Sequence, residues 1–248
     1  MQMENHELVG KICVPLIASD ESALFSMIDE AIMSGADILE WRVDYYPFQA
    51  LEEIDRLLTL IQMKIGTVPL IVTYRSVAEG GKGTACLDDY CYFCDRVVSH
   101  PTVTYLDVEW TKWKTVGKHS SIYNHLGKII LSKHDWTVGV EERPIQKTIQ
   151  AMQRIQPAII KVAVTPKDVN EGEELERMRK AYVFPNKTSS SALLLIGMGE
   201  WGRNLRISGH RWGNPWTFAS LSNHEASAPG QLTVRELQEL WRKGDDSR

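Results

Sequence analysis

The chain has 248 residues, 43% hydrophobic and 24% charged, which suits one large soluble domain or two small ones. Its formal net charge of -4, without any block of like charges, argues against a nucleic-acid partner or an anionic membrane surface. No apolar run reaches the ~18 residues of a membrane span, and the acidic start from Met1 to Glu7 lacks the features of a signal peptide, so the chain reads as unprocessed and cytoplasmic.

Strand-like apolar runs occur at 12–17, 38–43, 70–74, 103–108, 129–132, 159–164 and 192–196, with a weaker eighth at 217–220. Helix-like segments lie between them, among others at 21–34, 51–63, 144–155 and 169–181. Strand–helix alternation implies βαβ units and a parallel sheet. Seven or eight such units in a chain of this length predict an α/β fold, a (β/α)8 barrel spanning 1–248 as a single domain. Near the end, Thr233 with Glu236 three residues on forms a capping box, and Leu237, Leu240 and Trp241 give the last helix an apolar stripe.

Several strands carry ionisable residues on one parity near their C-terminal ends. In Glu40-Trp41-Arg42-Val43 the charges alternate with apolar residues, so Trp41 and Val43 face the helices while Glu40 and Arg42 face the barrel axis. The same parity turns Thr73 and Arg75 inward, groups Ser132 with His134, and groups Ile159, Lys161 and Ala163. Barrels carry their chemistry at the C-terminal mouth. This mouth is too charged for a simple apolar pocket.

Lys161 interrupts the apolar run Ala158 to Val164, and lysine is rarely buried without compensation. The bland reading is an edge lysine snorkelling to solvent. The sharper one is a nucleophile: burial near Arg42 and Arg75 would lower its pKa from ~10.4 and free the amine to form a Schiff base with a ketone. His134 stands at a strand end, one strand before Lys161, where an imidazole suits proton transfer at neutral pH. Arg75 to Gly83 reads as a mobile charged loop or as the arm that brings Glu79 to orient His134. Arg206 is a surface arginine or a clamp for a substrate carboxylate. The segment Ser227 to Gln231 is a Pro-Gly turn or a lid that places Ser227 and Gln231 over a ligand.

Two further motifs invite cofactor readings. Cys86, Cys91 and Cys94 form C-x4-C-x2-C, but on a helix they would not converge on a cluster, and free thiols are the better reading. Gly197-Met198-Gly199-Glu200-Trp201-Gly202 matches a dinucleotide fingerprint, yet it comes too late in the chain to open a nucleotide-binding domain, and a tight turn explains its glycines.

Glu40-Trp41-Arg42-Val43-Asp44, Tyr74-Arg75-Ser76 followed by Glu79-Gly80-Gly81, Ser132-Lys133-His134-Asp135, Lys161-Val162-Ala163 and Ser227-Ala228-Pro229-Gly230-Gln231 occur in the order and spacing of the type I 3-dehydroquinate dehydratases. The chain resembles that family from about Lys11 to Trp241. The resemblance implies dehydration of 3-dehydroquinate to 3-dehydroshikimate by syn elimination. Lys161 would form the imine, His134 would move the protons and Glu79 would pair with His134. It further implies that Glu40, Arg42, Arg75, Arg206, Ser227 and Gln231 bind substrate. No metal or organic cofactor is implied, and the assembly would be a homodimer. The chain departs from the family at Pro15, where some members have a substrate-touching serine, at Leu205, where serine is frequent, and at the bulky His210-Arg211-Trp212. A class I aldolase-type barrel and a barrel that only binds a metabolite are the competing readings; the first would need a phosphate site, and none is evident.

Overall fold

The computed structural model describes residues 10–47, 51–118, 120–182, 191–222, 228 and 230–245. Its strands are β1 (Lys11–Leu16), β2 (Ile38–Arg42), β3 (Leu70–Thr73), β4 (Tyr105–Glu109), β5 (Ile129–Val138), β6 (Ile159–Thr165), β7 (Ala192–Gly197), β8 (Trp216–Ser220) and the two-residue β9 (Leu232–Thr233). The helices are α1 (Glu21–Met33), α2 (Leu51–Ile65), α3 (Leu87–Val98), α4 (Trp113–Val116), α5 (Ser120–Asn124), α6 (Glu142–Gln153), α7 (Val169–Ala181), α8 (Arg203–Ser208) and α9 (Val234–Asp245). Every ladder is parallel, in the order β7-β6-β5-β4-β3-β2-β1-β8-β9. This is the expected (β/α)8 barrel.

Strands covered on both faces need apolar residues on both parities. One parity packs under the helices, with Val14, Leu39, Trp41, Val72, Leu106, Leu131, Ile160 and Leu195 all buried. The other fills the lower axis with Cys13, Ile38, Ile71, Ile130, Ile159, Leu194 and Trp216. Each such aliphatic side chain contributes on the order of 2 kcal/mol by leaving water. Above that plug the inward residues turn polar, so the apolar floor supports a charged upper storey.

Two strands differ from their expected bounds. β5 runs on to Val138, because Lys133, His134 and Asp135 keep pairing with Val162, Ala163 and Val164 before a register shift. β4 starts and ends later than expected, and so includes Glu109. The capping box of α9 is formed: the Thr233 N–H donates to Glu236 Oε2 at 2.8 Å, and the Glu236 N–H donates to the Thr233 hydroxyl at 3.2 Å. On the expected stripe of that helix Leu237 is buried and Trp241 donates its indole N–H to the Ile207 carbonyl, while Leu240 stays exposed.

Among the described residues no ladder joins β7 to β8. A side chain spans the gap instead. Asn214 accepts the Leu195 N–H at 3.1 Å and donates to the Leu195 carbonyl at 2.8 Å, as a paired strand would. Its oxygen also accepts from Nε of buried Arg179 at 2.7 Å. Removing that carboxamide leaves several buried polar groups unpaired, at about 1–3 kcal/mol for each. Asn214→Ala is therefore expected to lower unfolding free energy by about 3 kcal/mol or more in urea titrations; a change below about 0.5 kcal/mol would show that water replaces the clasp.

Candidate active site

At the C-terminal mouth the polar inward residues surround a cavity. β2 supplies Glu40 and Arg42, and β3 with the residues after it supplies Thr73, Arg75 and Glu79. β5 supplies His134 and Trp136, β6 supplies Lys161, and α8 supplies Arg206. Phe218, Met198, Ala228 and Gln231 are also in the wall. Ser227, expected beside Gln231, lies outside the described residues.

His134 and Lys161 reach the same cavity from neighbouring strands. Ser132 pairs in register with Lys161, and His134 is two residues further along the same face. Glu79 Oε2 lies 3.1 Å from His134 Nδ1 and accepts the His134 backbone N–H at 3.1 Å. Its other oxygen accepts from the Thr111 hydroxyl at 3.2 Å. When Glu79 is ionised it accepts a hydrogen bond from Nδ1–H, which leaves Nε2 as the basic nitrogen. Burial, together with Arg75, Lys161, Arg42 and Arg206, holds the imidazole well below its usual pKa, so it is neutral at pH 7. Glu79 is pushed up to about 7 by burial, against the pull of Arg75 and with the help of Glu109 and Asp107.

The surroundings of Lys161 differ from expectation. Its Nζ lies 3.1 Å from Asp107 Oδ2 and 3.4 Å from Glu40 Oε1, over the Phe218 ring at 4.6 Å. Carboxylates, rather than Arg42 and Arg75, are its nearest charges. Arg42 is engaged by Asp44 through two 2.8 Å bonds. Arg75 bridges Asp107 at 2.7 Å with Glu79 and Glu109, both at 3.4 Å. Burial opposes the Arg75 charge, but these three carboxylates outweigh it and raise its pKa.

Arg206 has no carboxylate partner among the described residues. It is buried, and burial lowers its pKa to about 10. Its Nε donates to the Gly197 carbonyl at 2.9 Å. The glycines of the fingerprint-like segment make this possible. Gly197 and Gly202 touch backbone to backbone, and a Cβ on either would collide with the other. The motif is a turn that aims a carbonyl at Arg206.

The family model of type I 3-dehydroquinase matches residues 12–244. The chain belongs to this family. A 3-dehydroquinate dehydratase from Clostridium kluyveri is 30% identical over 241 residues, covering 94% of this chain and 92% of the relative. One from Streptococcus thermophilus is 30% identical over 230 residues, covering 92% and 95%. Among solved structures, a type I 3-dehydroquinate dehydratase from Clostridium difficile with covalently modified comenic acid superposes with a TM-score of 0.85 at 25% identity, over 96% of this chain and 93% of that one.

As a type I 3-dehydroquinase the chain departs from the usual pattern in ways the structure locates. Pro15 is buried in β1 opposite Glu40 and is not part of the cavity wall. Leu205 is buried beside Arg206. Cys91 and Cys94 are buried free thiols on α3, and Cys86 caps that helix, accepting the Asp89 N–H. Three buried carboxylates went unassigned in the sequence reading. Asp44 accepts the Arg75 and Lys82 N–H groups and fixes the arm that carries Glu79. Glu109 holds the same arm by accepting the Ser76 N–H at 2.7 Å and its hydroxyl at 2.8 Å. Asp107 joins Arg75 to Lys161. Asp107 and Glu109 alternate with Leu106 and Val108, the same signal that identified β2.

The Glu79 shift carries a stability consequence. Its folded pKa of about 7 exceeds its usual 4.5, so the folded state binds the extra proton and stability falls as pH rises from 4.5 through 7. Glu79→Gln removes that loss. Relative to the parent, the variant should gain on the order of 3 kcal/mol between pH 4.5 and pH 8, read from urea unfolding at both pH values. A difference that does not change with pH would mean that Glu79 titrates as an ordinary carboxylate.

Proposed function

We propose that this chain dehydrates 3-dehydroquinate to 3-dehydroshikimate through an imine on Lys161. The observation that carries the reading is the placement of Lys161 and His134 on adjacent strands, both facing one cavity. After losing a proton, Nζ attacks the C3 ketone. The carbinolamine loses water, and the protonated imine draws electrons from the ring. His134 Nε2 removes the C2 proton and the electron pair delocalises as an enamine. Collapse of the enamine expels the C1 hydroxyl, to which His134 returns the proton, so both events occur on one face of the ring. Hydrolysis of the imine releases product and restores Lys161. The lysine supplies the electron sink, so the chemistry calls for no metal or organic cofactor.

Arg206 would take the substrate carboxylate, because it is a buried cation facing the cavity with no anion beside it among the described residues. Glu40, Arg42 and Arg75 would meet the hydroxyls, with Ser227 and Gln231 closing over the ring. On the same reading the protein is a cytoplasmic homodimer without nucleic-acid or membrane partners. It serves the shikimate pathway or quinate breakdown, which share this step. Among the described residues no helix is long and apolar enough to cross a membrane.

Incubation with 3-dehydroquinate and borohydride should fix a mass adduct on the Lys161 peptide, absent from Lys161→Ala. A product of carbon–carbon cleavage would favour the aldolase-type reading, and the absence of both adduct and 3-dehydroshikimate would favour a barrel that only binds. His134→Ala should lower kcat by about 10^2–10^4-fold. Arg206→Ala should raise KM roughly 10- to 100-fold, as loss of a charged hydrogen-bond pair requires; an unchanged KM would place the carboxylate elsewhere.

A further inference from the structure

Asp107 lies one layer below the cavity and does not form its wall. It is 1% exposed and, alone among the described residues, pairs with both Lys161 and Arg75. Oδ2 is 3.1 Å from Lys161 Nζ. Oδ1 is 2.7 Å from Arg75 Nη2 and accepts the Ser132 hydroxyl at 2.5 Å. That hydroxyl accepts in turn from Arg75 Nη1 at 2.9 Å, so two hydrogen bonds and one ion pair close a small ring around the carboxylate. With Oδ1 held from two sides, the direction of Oδ2 is fixed.

We infer that Asp107 is a positioning residue that holds Lys161 in register and sets the pH at which its amine becomes available. The inference rests on the imine reading for its catalytic meaning. The lysine nitrogen is positive as the ammonium and again as the iminium, and neutral in the attacking amine, the carbinolamine and the enamine. A fixed anion at 3.1 Å favours both charged forms and disfavours the amine between them.

The other groups facing Nζ do not duplicate this role. Glu40 on β2 is farther away, at 3.4 Å, and its same oxygen also accepts from the Thr73 hydroxyl at 2.8 Å. On β1, burial keeps Cys13 a thiol. His134 on β5 is neutral, Arg75 is turned into its own carboxylates, and β8 offers the face of Phe218. Burial works against ionisation of Asp107, but Arg75 and Lys161 outweigh it and bring its pKa to about 2. Asp107 is therefore an anion at every pH where the protein works, and its influence does not titrate away.

The test is competitive labelling of the full chain with acetic anhydride across pH, with the Lys161 peptide followed by mass spectrometry. In Asp107→Asn the labelling midpoint of Lys161 should fall by about one unit or more, while Asp107→Glu, which restores the anion, stays near the parent. In the same series kcat of Asp107→Asn should fall roughly tenfold with KM little changed, as expected when the iminium loses its counter-charge. A folded Asp107→Asn with the parent midpoint overturns the inference. Should Asp107→Asn not fold, Asp107→Ser, which keeps an oxygen for Ser132 and Arg75, is read in the same way. Labelling needs no substrate, so it is independent of the borohydride experiment. An adduct with an unmoved midpoint sinks only the role of Asp107, whereas a moved midpoint without an adduct sinks only the imine.

Discussion

A guanidinium shared among three carboxylates governs the upper half of this barrel. Arg75 meets Asp107, Glu79 and Glu109 in a space that is nearly closed to water. Charges there persist only when they are paired and hydrogen-bonded. That constraint explains why acids recur on the inward parity of β2 and β4, why Ser132 and Thr73 are hydroxyl residues, and why the arm after β3 folds back to Asp44 and Glu109. Each of the three acids also answers a second group, Lys161 for Asp107, His134 for Glu79 and the Ser76 N–H for Glu109, so these residues form one unit.

The network produces two neighbouring but opposite environments. Around the imidazole of His134 the field is cationic, from Arg75, Lys161, Arg42 and Arg206. Around the amine of Lys161, on the next strand, it is anionic, from Glu40 and Asp107. A fold that surrounds adjacent titratable groups with charges of opposite sign is equipped for coupled proton transfers. The barrel achieves this by register: a two-residue step along β5 moves from the carboxylate layer to the arginine layer.

Much of the architecture was legible because β2 writes its two faces in alternating letters, and Lys161 breaks an apolar run that nothing else explains. The same alternation in Tyr105-Leu106-Asp107-Val108-Glu109 went unread, because the strand was taken to stop at Val108. Its two acids then had no shared face on which to be noticed. The extension of β5 was hidden for a related reason: Lys133, Asp135 and Thr137 resemble loop residues, yet they line a groove on the outer face of the strand. Lys161 was expected among cations, because sequence parity says which residues face inward but nothing about which of them touch. Asn214 could not have been recognised at all, since its partners are backbone groups of Leu195 on another strand.

That asparagine gives the barrel a mechanical weak point. Seven junctions between neighbouring strands of the barrel are ladders, which part only by breaking bonds along their length. Among the described residues the eighth is bridged by the carboxamide of Asn214, which a single side-chain rotation could release. Strain reaching the ring from either side would find its first relief there, between the strand that ends at the Arg206 turn and the strand that carries Phe218. The barrel is a hoop with a buckle, and the buckle is fastened to the buried guanidinium of Arg179.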